Sequence, residues 1–154
     1  MSMVTDQVRS LLVPLRDVNM LLPNIVVAEV SNYQLPGKQP DMPEWILGNI
    51  EWRGQTIPVI SLEILCGPKG PASLAQSRLL IINSVRPDSP LRFYAIMAAG
   101  LPRLIQFDDT LAGSIEESSI PELLCRVYID RQCVVIPDLD YLQGLLEQHW
   151  AAAA

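Results

Sequence analysis

The sequence predicts a mainly β protein built from two small, similar β-subdomains and closed by a helix. Three observations carry this. Apolar residues fall in short runs between turn residues, and thirteen prolines in 154 residues, against a usual ~5%, favour short strands over long helices. The segment Trp52-R-G-Q-T-I-P-V-I-S-L-E-I-Leu65 aligns without gaps on Ile129-D-R-Q-C-V-V-I-P-D-L-D-Y-Leu142. Each copy is a turn, an apolar strand and a leucine-anchored segment carrying an acid, offset by about half the chain. Only Tyr141 to Trp150 places its leucines (Leu142, Leu145, Leu146) at helical spacing.

The elements follow in order. Val8 to Pro14 reads as a first strand, and Asp17-Val18-Asn19 as a turn. Met20 to Leu22 and Ile25 to Val30 supply the next strand material, and Gln34 to Pro43 is a proline-punctuated loop. Glu44 to Gly48 reads as a short turn or helical piece. Ile50 to Trp52 and Thr56 to Ile60 flank Arg53-Gly54-Gln55 as a hairpin. Pro58 has no amide hydrogen, which places it on an unpaired edge or at a bulge. Leu62 to Cys66 suits a strand end or one helical turn, and Gly67 to Ser77 a loop. Arg78 to Val85 is a continuous apolar strand of the buried kind, followed by a turn over Arg86 to Pro90. Leu91 to Ala99 and Leu101 to Phe107 are two strands bent at Gly100-Leu101-Pro102. Asp108 to Ser119 is a polar, acidic loop. Leu123 to Ile129, Asp130-Arg131 and Gln132 to Ile136 form a second strand, turn and strand. Residues 148–154, ending in an alanine run, read as a frayed tail.

Composition narrows the function classes. Hydrophobic residues make up 49% of the chain, enough for a sizeable core. A net charge of −6 disfavours a nucleic-acid partner. Cys66, Cys125 and Cys133 are odd in number and form no C-x-x-C, which suits neither a disulfide framework nor a zinc site. No apolar run is long enough to span a bilayer and no signal peptide is visible, so the expectation is a soluble intracellular protein without direct membrane insertion.

Trp45 to Leu65 is the most informative stretch. It holds no nucleophile, metal cluster or phosphate loop, and its Arg53-Gly54 turn presents a cationic arm. Binding is therefore the starting hypothesis. Glu29 follows Ile25 and Val27 on one strand face, an unexpected place for an acid if that face is core. On the residues alone it sits solvated at a strand end. Gly48 and Gly54 are backbone residues first, since glycine permits positive φ and close chain approach. Trp52 is a core plug or an exposed anchor. Asp108, Asp109, Glu116 and Glu117 match neither a calcium loop nor an acid/base template and read as solvated. His149, the single histidine, would need a cysteine beside it to form a nucleophilic pair.

These motifs resemble the CheW-like domain, the coupling module of bacterial chemosensory arrays. The resemblance lies in Val27-Ala28-Glu29-Val30, in Ile46-Leu47-Gly48 through Arg53-Gly54, in Ile57-Pro58-Val59-Ile60-Ser61-Leu62, and in Asp138-Leu139-Asp140-Tyr141-Leu142. It covers residues 8–147 as one domain. It implies two SH3-like five-stranded β-barrel subdomains packed side by side, with no enzymatic activity and no cofactor. It also implies two partners, the cytoplasmic hairpin tip of a chemoreceptor and the regulatory domain of a CheA-type histidine kinase. The partner-binding residues would be Val27, Glu29, Gly48, Arg53, Gly54 and Trp52. The chain departs from the family pattern at Glu51-Trp52, Ser61 and Ala98-Ala99, which marks a divergent member, by analogy one serving a specialised system such as pilus motility.

Two other classes stay open on the residues themselves. One is a small enzyme using a thiol or carboxylate in a cleft between the subdomains. The other is a purely structural or dimerising β-module.

Overall fold

The computed structural model describes residues 8–16, 18–66, 76–107, 115–117, 120–129 and 131–153. The chain runs β1 (Val8–Pro14), β2 (Asn19–Pro23), a 3-10 turn (Asn24–Val26), β3 (Val27–Asn32), β4 (Ile46–Trp52), β5 (Gln55–Ile60) and α1 (Leu62–Cys66). It continues through β6 (Arg78–Asn83), β7 (Phe93–Ala98), β8 (Arg103–Phe107), β9 (Ile115–Glu117), β10 (Leu123–Ile129), β11 (Gln132–Pro137) and α2 (Leu139–Ala153).

These strands form two sheets of matching design. The first has the order β3-β6-β7-β5-β4, and the second β8-β1-β2-β11-β10-β9. In the first, β6 pairs antiparallel with β3 and β7, β7 runs parallel to β5, and β5 pairs antiparallel with β4. Across β8, β1, β2, β11 and β10 the second sheet repeats that sequence of directions. The five-stranded unit expected from the sequence thus occurs twice. The short β9 adds a sixth strand to the second sheet, inside the stretch read as an acidic loop. Because β1 and β2 join strands from the chain's last third, the two units are interlocked.

The half-chain echo has a structural counterpart. Gly54 and its equivalent Arg131 both have positive φ, 78° and 66°. The aligned residues Ser61 and Asp138 both cap helices. The Ile64 N–H donates to the Ser61 hydroxyl at 3.2 Å, and the Tyr141 N–H to the Asp138 carboxylate at 3.1 Å. Asp138 starts α2 two residues before the expected helix, and the helix runs on through Ala153.

A joint core holds the units together. Val13, Met20 and Leu22 from the second sheet meet Leu80, Ile82, Tyr94 and Ile96 from the first, with Leu142 and Leu146 of α2 inserted among them. A second cluster, containing Trp52, Ile57, Leu79 and Ile81, fills the other face of the five-stranded sheet. A third, with Leu12, Leu21, Val127 and Val134, does the same for its partner. Strand β6 serves two clusters with alternate residues, which is why it reads as an unbroken apolar run.

Three local expectations change. Ile25 lies in the 3-10 turn, 85% exposed, and the strand begins at Val27. The turn before β4 ends at Trp45, and Ile46 to Gly48 are already strand. Buried and partly exposed positions alternate along β4, but glycine at a buried position (Gly48) and leucine at a partly exposed one (Leu47) hide that pattern in the sequence. Pro58 sits in an inner strand, opposite Asn49 and one residue past the bulge between Ile46 and Gly48. It is accommodated because β5 pairs with β7 only at Val59 and Ile60.

Candidate functional site

The β4–β5 turn is two residues long and both carry positive φ, 48° at Arg53 and 78° at Gly54. This geometry matches the twist of the flanking strands. Glycine adopts it freely, whereas arginine does so against its own Cβ. The fold therefore holds a cationic side chain at a fixed corner.

Glu29 reaches the same corner through a bulge. Val27 pairs with Ile82 and Glu29 with Ile81, so Ala28 is the extra residue. Ile82 belongs to the joint core and Ile81 to the second cluster. One inserted residue thus turns Glu29 away from the face that Val27 occupies. Glu29 stands instead on the side of the second cluster, partly exposed and beside Arg53. The Glu29 carboxylate accepts a hydrogen bond from Arg53 Nη2 at 2.9 Å. The Arg53 guanidinium also lies 4.8 Å from the Trp52 ring centroid, and that ring packs on Phe93 at 4.8 Å.

The pair links β3 and β4, the two outer strands of the five-stranded sheet, so the sheet curls until its edges approach here. Arg53 is 65% and Glu29 35% exposed. Such a pair contributes only about 0–1 kcal/mol to stability. Stability alone is a weak reason for placing a strained arginine there.

Of the six residues picked from the sequence, the structure brings Glu29, Trp52, Arg53 and Gly54 together. Trp52 is 6% exposed and belongs to the core, so it supports Arg53 from beneath and is not an exposed anchor. Val27 is half-buried against the joint core. Gly48 is buried four residues up β4, about 13 Å from Trp52 at the usual strand rise. Its φ is 140°, and a Cβ there would lie 2.4 Å from the Gly37 carbonyl oxygen. Gly48 thus lets the preceding loop cross β4, where Gly37 and Asn49 exchange backbone hydrogen bonds.

Sequence reasoning missed the pair beside the turn. Glu51 is exposed and accepts a hydrogen bond from the Thr56 hydroxyl directly across the hairpin. Once the two-residue turn was placed, that register could have been counted from it.

The chemistry of the rest of the molecule is sparse. Among the described residues no cluster of His, Cys, Asp and Glu could hold a metal ion. Burial pushes the Cys66 thiol up to about 11, with Glu122 adding and Arg126 opposing, so little thiolate exists near neutral pH. His149 packs edge-on against Trp45, with centroids 6.0 Å apart. Asp108 and Asp109 lie outside the described residues, and Glu116 and Glu117 form part of β9. Three open surface depressions follow α2, the Val85–Pro90 loop and the β1–β2 turn, and none is lined by the corner residues.

The comparisons with known proteins agree with this architecture. A family model described as the CheW-like domain matches residues 9–145. The crystal structure of the scaffolding protein TtCheW from Thermoanaerobacter tengcongensis superposes with a TM-score of 0.70 at 22% sequence identity, covering 86% of this chain and 90% of that one. No curated protein matches by sequence.

Proposed function

The chain belongs to the CheW-like domain family, and from that premise we propose that it is a non-enzymatic adaptor of a bacterial chemosensory system. In this reading it joins the cytoplasmic hairpin tip of a chemoreceptor to the regulatory domain of a CheA-type histidine kinase, so that receptor state reaches the kinase. It would work in the cytoplasm, recruited to membrane-associated arrays by the receptor. Among the described residues no helix is long and apolar enough to cross a membrane. Control of pilus motility is one setting that a divergent member could serve.

The observation that carries the proposal is the corner itself. A cation is held at fixed φ, oriented by Glu29 and supported by Trp52, yet remains 65% exposed. A pre-positioned guanidinium can give a partner a charge-assisted hydrogen bond with little further ordering. Glu51 beside it departs from the family pattern and sets a second, negative charge at the same hairpin, which favours a partner with a complementary cation.

The test is a pull-down from the native cell, with the chain as bait and receptors and histidine kinases identified by mass spectrometry. Enrichment of a chemoreceptor together with a CheA-type kinase is the expected result. Recovery of neither class overturns the proposal.

A further inference from the structure

Helix α2 leaves the six-stranded sheet at β11 but makes its polar contacts with the other sheet. Gln143 is fully buried. Its side-chain carbonyl accepts the Val85 N–H at 3.0 Å, and its amide donates to the Ser84 hydroxyl at 2.6 Å and the Leu91 carbonyl at 3.2 Å. Those three residues belong to the β6–β7 connection of the five-stranded sheet. One turn further on, Glu147 accepts from Arg86 Nη1 at 3.1 Å and from the Ser89 hydroxyl. Arg86 Nε also approaches Asp140 at 3.6 Å. Gly144 makes room for this, since a Cβ there would lie 2.7 Å from Arg86 Nη1.

We propose that Gln143 is a positioning residue. With Arg86 and Glu147 it bolts α2 to the Ser84–Leu91 loop and so fixes the angle between the two sheets. The joint apolar core makes the sheets adhere, but burial of apolar area is non-directional and tolerates sliding. Hydrogen bonds do not, and a buried, mutually satisfied network selects one arrangement. Gln143 meets a backbone donor and a backbone acceptor of the opposite loop at once, so a small rotation of the sheets breaks both bonds. The consequence for binding rests on the adaptor reading: a partner that contacts both units would be received at the angle this bolt sets.

Residual dipolar couplings of backbone amides test the inference without any partner. In the parent chain one alignment tensor should fit both sheets. In Gln143→Met, which keeps the length of the side chain but not its hydrogen bonds, each sheet should fit its own tensor and no common one. The Val85 amide should also exchange at least tenfold faster. Gln143→Asn, whose amide is one methylene too short to reach Val85 and Leu91 together, should loosen the fit in the same direction and serves if Gln143→Met does not fold. A common tensor persisting in a folded Gln143→Met chain, or failing that in Gln143→Asn, overturns the proposal. Unaltered receptor capture by a variant with a changed inter-sheet angle would count against the two-unit binding mode and leave the bolt standing.

Discussion

Arg53 occupies a left-handed backbone conformation that glycine, its neighbour in the turn, adopts without strain. The local glycines separate the two physical demands at this hairpin. Gly48→Ala should lower the free energy of unfolding by about 2 kcal/mol or more, because φ of 140° and a backbone oxygen at 2.4 Å both oppose a Cβ. Gly54→Ala meets no atom within 4 Å and should lose only about 1–2 kcal/mol, from φ alone. Urea denaturation checks the order, and equal losses would contradict it. Both glycines were recognisable in the sequence as backbone residues. That one is excluded by contact and the other only by conformation was not, because the contact comes from Gly37 across a loop. Cys66 is a half-buried thiol whose folded value, about 11, lies above its ordinary 9.0. Its stabilising contribution is whole below pH 9 and declines as pH rises towards 11, since the unfolded chain releases the proton first. Cys66→Ala should therefore flatten the alkaline loss of stability over that window, measured by urea midpoints at pH 8, 9 and 10. The native thiol should also react slowly with iodoacetamide at pH 7.

At the scale of elements, the bulge in β3 explains both what the sequence concealed about Glu29 and how the site is made. It lies in an outer strand of the five-stranded sheet and adds one residue to the period-two pattern. Read as unbroken alternation, Glu29 shares a face with Val27; with Ala28 inserted it does not. The strand start at Ile46 was hidden because Leu47 takes a partly exposed position and Gly48 a buried one. The hairpin at Arg53-Gly54 was legible because its turn chemistry is local, and the buried β6 because both its faces are apolar. Neither cap was read in the sequence: Asp138 entered only as part of the family motif, and Ser61 as a departure from it. The structure makes that departure conservative, since either oxygen can accept from the first turn. Ser61 is buried, so Ser61→Asp adds a desolvation cost to a retained cap, whereas Ser61→Ala should lose about 0.5–2 kcal/mol from the cap itself. Thermal denaturation decides, and an unchanged stability in Ser61→Ala would contradict the capping role.

For the whole molecule, the gapless match of Trp52–Leu65 with Ile129–Leu142 foretold two like units, and the sheets repeat the same order and directions. The sequence did not reveal how the units are joined. That depends on Gln143, a buried polar residue between Leu142 and Gly144 whose partners lie more than fifty residues away. Nothing local distinguishes it from a solvated helix glutamine. The two hairpins have also diverged within the shared plan: one carries Arg53 against Glu29, the other Arg131 at the position of Gly54. The charged corner of the proposed partner surface accordingly lies on one unit, while the joint core and α2 hold the other beside it.

The most direct test is a calorimetric titration of the folded chain with a chemoreceptor cytoplasmic hairpin fragment, run alongside Arg53→Asn. Asparagine tolerates the left-handed turn and removes the cation, so the unfolding free energy should change by less than about 1 kcal/mol. The parent chain should bind, and the variant should bind at least tenfold more weakly, a loss of about 1.4 kcal/mol. No binding by the parent chain, or equal binding by the variant, would contradict the account.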